Sequence, residues 1–129
     1  MRLVIGGKYQ GKLDWLCREL QVGPEQAAFA QPGGRVPEGR CILAGLQDWV
    51  RLLLEEGKDP QQWMEELLSR REDWAITCDE IGCGVVPLKP EERRWREETG
   101  RLCCWLARRA QRVDRVFCGI PQTIKEERV

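Results

Sequence analysis

The sequence predicts an α/β fold in which a small, mainly parallel sheet is flanked by helices in a three-layer arrangement. Short β-rich runs alternate with longer stretches of helical period, a pattern typical of βα units around a parallel sheet. A length of 129 residues is enough for one compact domain with a single core and too short for two ordinary domains. We therefore expect residues 1–129 to form one domain.

The strands are predicted from short apolar runs that lead into glycine turns. The candidates are Arg2–Gly6 (RLVIG), residues 40–45 (RCILAG), residues 74–82 (WAITCDEIG) and residues 114–120 (DRVFCGI). The segment 22–40 carries four glycines and three prolines, so it is predicted to be mostly loop, with AAFA as a short strand candidate. Residues 125–129 (KEERV) are predicted to fray.

The helices are predicted from apolar residues at helical spacing. Leu13, Leu16 and Leu20 mark the first helix, and the second begins after Gly45 and ends at Gly57. Asp59 followed by a proline is an N-cap signal for the third. The longest helix is predicted to open at Pro90 and to continue to about Val113.

Composition argues against several classes of function. Lysines plus arginines and aspartates plus glutamates both number 21, so the basic field that nucleic-acid binding usually requires is absent, and no nucleic-acid partner is expected. The apolar run near the N-terminus is too short for a signal or a membrane span, so a cytoplasmic protein without membrane contact is expected. The seven cysteines show no C-x-x-C spacing and are predicted to be reduced thiols.

The stretch VIGGKYQGKL has the G-x-x-x-x-G-K spacing of a phosphate-binding loop at a predicted strand-to-helix junction. In such a loop, backbone N–H groups and the helix N-terminus surround phosphate oxygens, and a lysine reaches the β- and γ-phosphates. The pattern indicates a P-loop NTPase-like domain; the alternative is a tight βα turn. The residues predicted to bind a nucleoside triphosphate are Gly6, Gly7, Lys8, Tyr9, Gln10, Gly11, Lys12 and Leu13.

Leu13 stands where this loop requires a Ser or Thr hydroxyl for Mg²⁺, so metal binding is expected to be impaired or rerouted, and no metal ligand is assigned. The second strand ends in Ala44 instead of an acid, and Asp48 one turn later is either a substitute ligand or a solvated residue. Asp79 and Glu80 end the third strand, where ligands bind in open α/β sheets, or they only cap a turn. Four arginines of the longest helix contact phosphate or a neighbouring subunit, or lie on a solvated face: Arg93, Arg94, Arg96 and Arg101.

The segments DEIGCGVVPLKPEERRWREETGR and LARRAQRVDRVFCGIPQTIK resemble the C-terminal half of the adenosylcobinamide kinase/adenosylcobinamide-phosphate guanylyltransferase family of cobalamin biosynthesis. That family carries an N-E-V-G-x-G-I-V-P signature, then an R-x-F-R-D-x-x-G-R-x-N-Q helix, and closes with G-x-P. The resemblance covers residues 74–125, and GGKYQGK resembles the family's G-G-x-x-x-G-K-S loop. The matching residues are Glu80, Gly82, Gly84, Pro87, Arg94, Arg96, Gly100, Arg101, Gly119 and Pro121.

The departures from the family all fall on residues that carry chemistry. Leu13 replaces the loop serine, Asp79 replaces the signature asparagine, and Cys103 and Cys104 replace an Asn-Gln pair. The segment that in relatives contains the histidine that carries GMP is contracted here, and the chain has no histidine. Guanylyl transfer by that route is therefore excluded.

The resemblance implies a kinase that transfers a phosphoryl group from ATP or GTP to adenosylcobinamide, and it implies a homo-oligomer. Lys12 and Glu80 are then the predicted catalytic residues. Lys12 would stabilise charge on the transferred group, and Glu80 would position metal or nucleophile. The alternative is a non-catalytic nucleotide-binding or partner-regulating relative that has lost its Mg²⁺ ligands.

Overall fold

The computed structural model describes residues 1–81 and 88–127, which form a sheet with helices on both faces. The strands are β1 (Arg2–Gly6), β2 (Ala27–Ala28), β3 (Ile42–Leu43), β4 (Ala75–Asp79), β5 (Arg112–Phe117) and β6 (Ile120–Glu126). The sheet order is β2-β3-β4-β1-β5-β6, and every pairing is parallel except that of β6 with β5. The helices are α1 (Lys12–Leu20), α2 (Leu46–Glu55), α3 (Pro60–Arg70) and α4 (Pro90–Arg109).

The three layers follow from the alternation of side chains along the strands, because successive residues point to opposite faces. In β1, Leu3 faces a core shared with α2, α3 and α4, whereas Val4 faces a second core shared with α1. Ile76 and Ala75 divide between the two cores in the same way. The prediction of a three-layer α/β domain with a small, mainly parallel sheet is confirmed.

The C-terminal end of the chain differs from the prediction. The last strand was expected to close the sheet and be followed by a frayed tail from Lys125, but β5 and β6 form an antiparallel hairpin that includes Lys125 and Glu126. The Lys125 ammonium also donates to the carbonyls of Ala107 and Arg108 at the end of α4, at 3.0 Å each. Because β6 is an exposed edge strand, its sequence lacks the apolar alternation by which strands are recognised.

The boundaries of the other strands and helices described below lie closer to the predicted ones. The third predicted strand begins at Ala75 and ends at Asp79, and its predicted glycine turn at Gly82 lies outside the described residues. The loop-rich segment 22–40 contains two single 3₁₀ turns, Pro24–Gln26 and Pro32–Gly34, beside β2. Asp59 caps α3 as expected, accepting a hydrogen bond from the Gln61 N–H at 3.0 Å. Every helix in these described ranges is too short or too polar to span a bilayer.

Gly6 is required where the end of β1 passes close to β5. A Cβ atom at this position would lie 2.4 Å from the carbonyl oxygen of Val116, which belongs to the backbone and cannot rotate away. We expect Gly6→Ala to lower the free energy of unfolding by about 1–3 kcal/mol, as overpacking does in other cores. Urea denaturation measures the change.

Gly100 provides the control for this substitution. It lies inside α4 with open space where a Cβ would be placed, so Gly100→Ala should raise the free energy of unfolding by about 0.5–1 kcal/mol. A Gly6→Ala variant as stable as wild type would show that β1 and β5 are not in this close contact.

Candidate functional site

The glycine loop connects β1 to α1, as the sequence predicted. β1 ends at Gly6, and α1 begins at Lys12 with Gly11 as its N-cap. Gly11 has a φ of 86° and Tyr9 a φ of 61°, so the backbone passes twice through the left-handed region, where glycine is favoured. The Gln10 N–H closes a turn on the Gly7 carbonyl at 3.3 Å. The loop is therefore curled at the carboxyl edge of the parallel strands.

Several donors of this loop are not used by residues 1–81 and 88–127. In the described part of the chain, the backbone N–H groups of Lys8, Tyr9 and Gly11 donate to no other group. The first N–H groups of α1 also lack intrahelical acceptors, as at any helix N-terminus. Unpaired N–H groups beside the positive end of a helix form a binding site for anions.

Lys12 is buried at the base of the loop, with 8% of its surface exposed. Its ammonium donates to the Gly7 carbonyl at 2.8 Å and forms an ion pair with Asp79 Oδ1 at 2.7 Å. This contact is possible because β4 lies beside β1, with Asp79 opposite Gly6 in the strand register. The lysine predicted to reach phosphate is thus held at the loop by a carboxylate that occupies the position of the family's asparagine.

Glu80 lies next to the loop but is engaged with the neighbouring strand. Its N–H donates to the Gly6 carbonyl at 2.9 Å, which fixes the backbone after β4 against the start of the loop. Its two carboxylate oxygens accept hydrogen bonds from the Arg115 guanidinium of β5 at 2.7 and 3.1 Å. The two acids predicted at this edge are therefore both present, and each is paired with a cation.

Gln10 has a role that the sequence did not indicate. Its side-chain oxygen accepts a hydrogen bond from the Cys118 N–H at 2.7 Å, and its backbone carbonyl accepts one from the Gly119 N–H at 2.8 Å. Cys118 and Gly119 form the tight turn of the β5–β6 hairpin, with φ angles of 53° and 75°. The hairpin turn thus supports the glycine loop from the side. Only the glycine of this turn was available as a signal in the sequence.

Two of the residues at the expected metal positions are apolar, and the third lies in the first turn of α2. Leu13 packs against the core between the sheet and α1, and Ala44 is buried in the same core. Asp48 lies in the first turn of α2, after the left-handed Gly45. Across residues 1–81 and 88–127, no three Cys, Asp or Glu side chains are grouped so that they could hold a metal ion.

Gln47 connects the site to the long helix, a connection that the sequence analysis missed. Its buried side-chain oxygen accepts a hydrogen bond from the Asp79 N–H at 3.0 Å, and its backbone carbonyl accepts one from the Trp95 indole at 2.7 Å. Arg51 lies over the Trp95 ring, 3.9 Å from its centroid, and binds Glu92 at 2.8 Å. The hydrogen bond from Arg51 lowers the pKa of the Glu92 carboxyl. These contacts hold the start of α4 against α2 and Asp79.

Two thiols lie behind Asp79 in the core. Cys78 in β4 and Cys103 in α4 share a hydrogen bond, which raises the pKa of Cys78 well above its usual value and lowers that of Cys103. The replacement of the family's asparagine by Cys103 therefore gives a packing contact in the core. No cysteine in the described ranges forms a disulfide.

The predicted arginine cluster of α4 is only partly explained. Arg101 lies near Glu97 at 3.9 Å and Glu98 at 3.7 Å on an exposed face, which agrees with the solvated alternative. Arg93 donates to the Leu88 carbonyl at 3.0 Å. Gly82, Gly84 and Pro87 of the signature lie outside the described residues.

A model of a known protein family matches the chain. The model described as Cobinamide kinase / cobinamide phosphate guanyltransferase matches residues 26–124, which is most of the chain. The matched range includes Asp79 and Glu80 and begins after the glycine loop. No curated protein matches the chain. The family match connects the chain with cobalamin biosynthesis and with nucleoside triphosphates.

Proposed function

This chain belongs to the cobinamide kinase / cobinamide phosphate guanyltransferase family, and we propose from this premise that it binds a purine nucleoside triphosphate at Gly6–Lys12. The observation that carries the proposal is that the N–H groups of Lys8, Tyr9 and Gly11, beside the N-terminus of α1, have no acceptor among the described residues. The ammonium of Lys12, directed into the same loop, supplies the charge. ATP and GTP share the triphosphate that this arrangement recognises.

The reaction we propose is transfer of the γ-phosphoryl group to the hydroxyl of adenosylcobinamide: the bond from the γ-phosphorus to the bridging oxygen breaks, the nucleoside diphosphate leaves, and the hydroxyl proton passes to solvent. Lys12 would leave Asp79 and bind the β- and γ-phosphates, which stabilises the charge that develops on the transferred group. Glu80 would position the attacking hydroxyl after releasing Arg115. Each of these steps replaces an existing ion pair by a contact with substrate.

The side chains beside the loop do not fit Mg²⁺. Leu13 and Ala44 offer no oxygen ligand, and the carboxylates of Asp79 and Glu80 are each bound to a cation. Mg²⁺ prefers six oxygen ligands in near-ideal octahedral geometry, several of them water. The proposed phosphoryl transfer therefore includes no step that depends on a metal ion bound by the protein.

Guanylyl transfer through a histidine is not part of the proposal, because the chain has no histidine. Incubation with labelled GTP followed by denaturation should leave no acid-labile GMP on the protein. Protein-bound GMP would show that another residue has taken over that role.

A non-catalytic nucleotide-binding or partner-regulating protein is the second candidate. It is favoured by the ion pair between Lys12 and Asp79, which neutralises the lysine that a kinase needs. Phosphorylation of adenosylcobinamide, measured over many turnovers with wild type and Glu80→Gln, separates the two candidates. Turnover that Glu80→Gln abolishes supports the kinase, and nucleotide binding without turnover supports the second candidate.

The affinity for triphosphate should depend only weakly on Mg²⁺, because backbone N–H groups and Lys12 supply the contacts. Titration of wild type with ATP and GTP, with Mg²⁺ or with EDTA and followed by tryptophan fluorescence, should give dissociation constants within a few-fold of each other. Leu13→Ser restores the loop hydroxyl, and it should increase the Mg²⁺ dependence only if Asp79 or Glu80 completes the ligand shell. A wild-type protein that binds triphosphate only with Mg²⁺ would contradict this prediction.

A further inference from the structure

A second polar groove lies at the opposite edge of the sheet from the glycine loop. It has a volume of about 1480 Å³ and lies between residues 31–40 and α3, with Trp74 on its wall. Trp74 directly precedes β4, whereas Asp79 ends that strand beside the loop. Five residues of strand separate the two edges by about 16 Å. A nucleotide phosphate bound at Gly6–Lys12 therefore does not occupy this groove.

Trp74 carries a hydrogen-bond donor that no described residue accepts. Its side chain is 5% exposed, and its indole Nε1 is buried with no acceptor in the described part of the chain. Three other tryptophans use the same donor within the protein: Trp49 to Ala28, Trp63 to Gly34 and Trp95 to Gln47. A buried donor without an acceptor costs about 1–3 kcal/mol, so an acceptor from outside the chain would stabilise this site.

Arg71 places a second donor group beside Trp74. Its guanidinium carbon lies 4.0 Å from the centroid of the Trp74 ring, and its Nη2 atom has no hydrogen-bond acceptor within residues 1–81 and 88–127. Its Nε atom lies 2.5 Å from Asp73, an aspartate whose side chain is 79% exposed. A guanidinium can stack on an indole through its flat face, and its N–H groups then donate in the plane of the group.

The charges along the groove select the class of ligand. Five cationic side chains line it, against three acidic ones. Of the acidic ones, Asp59 is already used as the N-cap of α3. Of the cationic ones, Arg35 and Arg70 have no ion-pair partner in the described part of the chain. We propose that this groove binds a small molecule bearing a phosphate or carboxylate group, with Trp74 and Arg71 as donors to its oxygens.

The indole N–H resonances of the six tryptophans test this proposal. The protein is titrated with inorganic phosphate in one arm and with citrate in the other, and Trp74→Phe identifies the Trp74 resonance. Lys12→Ala serves as the background, because it weakens phosphate binding at the glycine loop. We expect a saturable shift of the Trp74 resonance in at least one arm, and the arm that saturates at lower concentration identifies the chemistry of the ligand.

Arg71→Gln should weaken that binding about ten- to a hundredfold, as expected for loss of a charged hydrogen bond. The matched control is Arg109→Gln, because Arg109 lies 4.6 Å from the centroid of Trp105, in an equivalent stack outside the groove. It should leave the binding unchanged.

The proposal is overturned if the Trp74 resonance does not move in either arm. It is also overturned if potassium chloride at equal ionic strength causes the same shift, or if Trp105 responds as Trp74 does. These outcomes do not depend on nucleotide binding at the glycine loop, since no nucleotide is added and Trp74 lies at the other end of β4.

Discussion

Lys12→Ala should weaken triphosphate binding ten- to more than a hundredfold, the largest loss we expect from any single substitution at the site. Removal of one charge-assisted phosphate contact costs about 1.5–3 kcal/mol. The effect should be the same with Mg²⁺ and with EDTA, because Lys12 acts directly on the phosphates. Isothermal titration with ATP and GTP measures it.

Arg18→Ala is the control for this loss of charge. Arg18 lies in the last turn of α1, six residues beyond Lys12 and about 9 Å along the helix axis. The Arg18→Ala substitution removes one positive charge from the same helix without changing the loop, so the affinity for triphosphate should change little. Equal losses in the two variants would attribute the effect to net charge instead of to a phosphate contact.

Asp79→Asn should increase the affinity for triphosphate by about five- to 150-fold, since a gain of about 1–3 kcal/mol follows from removing a negative charge beside the phosphates. In wild type, Asp79 binds the Lys12 ammonium at 2.7 Å, and phosphate must displace it. The same titration measures the gain.

Asp48→Asn is the control, because it removes one negative charge from the carboxyl edge of the neighbouring strand β3 without affecting Lys12. If Asp48→Asn raises the affinity as much as Asp79→Asn, the gain comes from the overall electrostatic field at the carboxyl edge of the sheet and not from the ion pair with Lys12. Weaker binding by Asp79→Asn would show that the carboxylate takes part in binding.

The sequence predicted the elements whose residues carry a clear period. β1 and β4 were found because each is a short apolar run that leads into a turn, and α1 and α2 because apolar residues recur at helical spacing, with Gly11 at the start of α1. β6 was missed because its residues face solvent on an edge strand and include Pro121. The same exposure made Lys125 look like the start of a tail.

The contacts at the site depend on which strands are neighbours, and a sequence period does not contain this information. Lys12 meets Asp79 because β4 lies beside β1, and Glu80 meets Arg115 because β5 lies on the other side of β1. Gln10 bonds to Cys118 because the β5–β6 hairpin returns to the loop. Residue types located the glycine loop and the two acids, and strand order determined that both acids are paired with cations.

The backbone N–H resonances of Lys8, Tyr9 and Gly11 give the most direct test of the claim that the glycine loop binds the triphosphate. Two-dimensional NMR spectra are recorded with and without saturating ATP or GTP in EDTA. The largest shifts are expected on these three N–H groups and on that of Lys12, and AMP or GMP should not reproduce them. Nucleotide binding that shifts residues elsewhere and leaves the loop resonances in place would contradict it, as would the absence of binding at millimolar nucleotide.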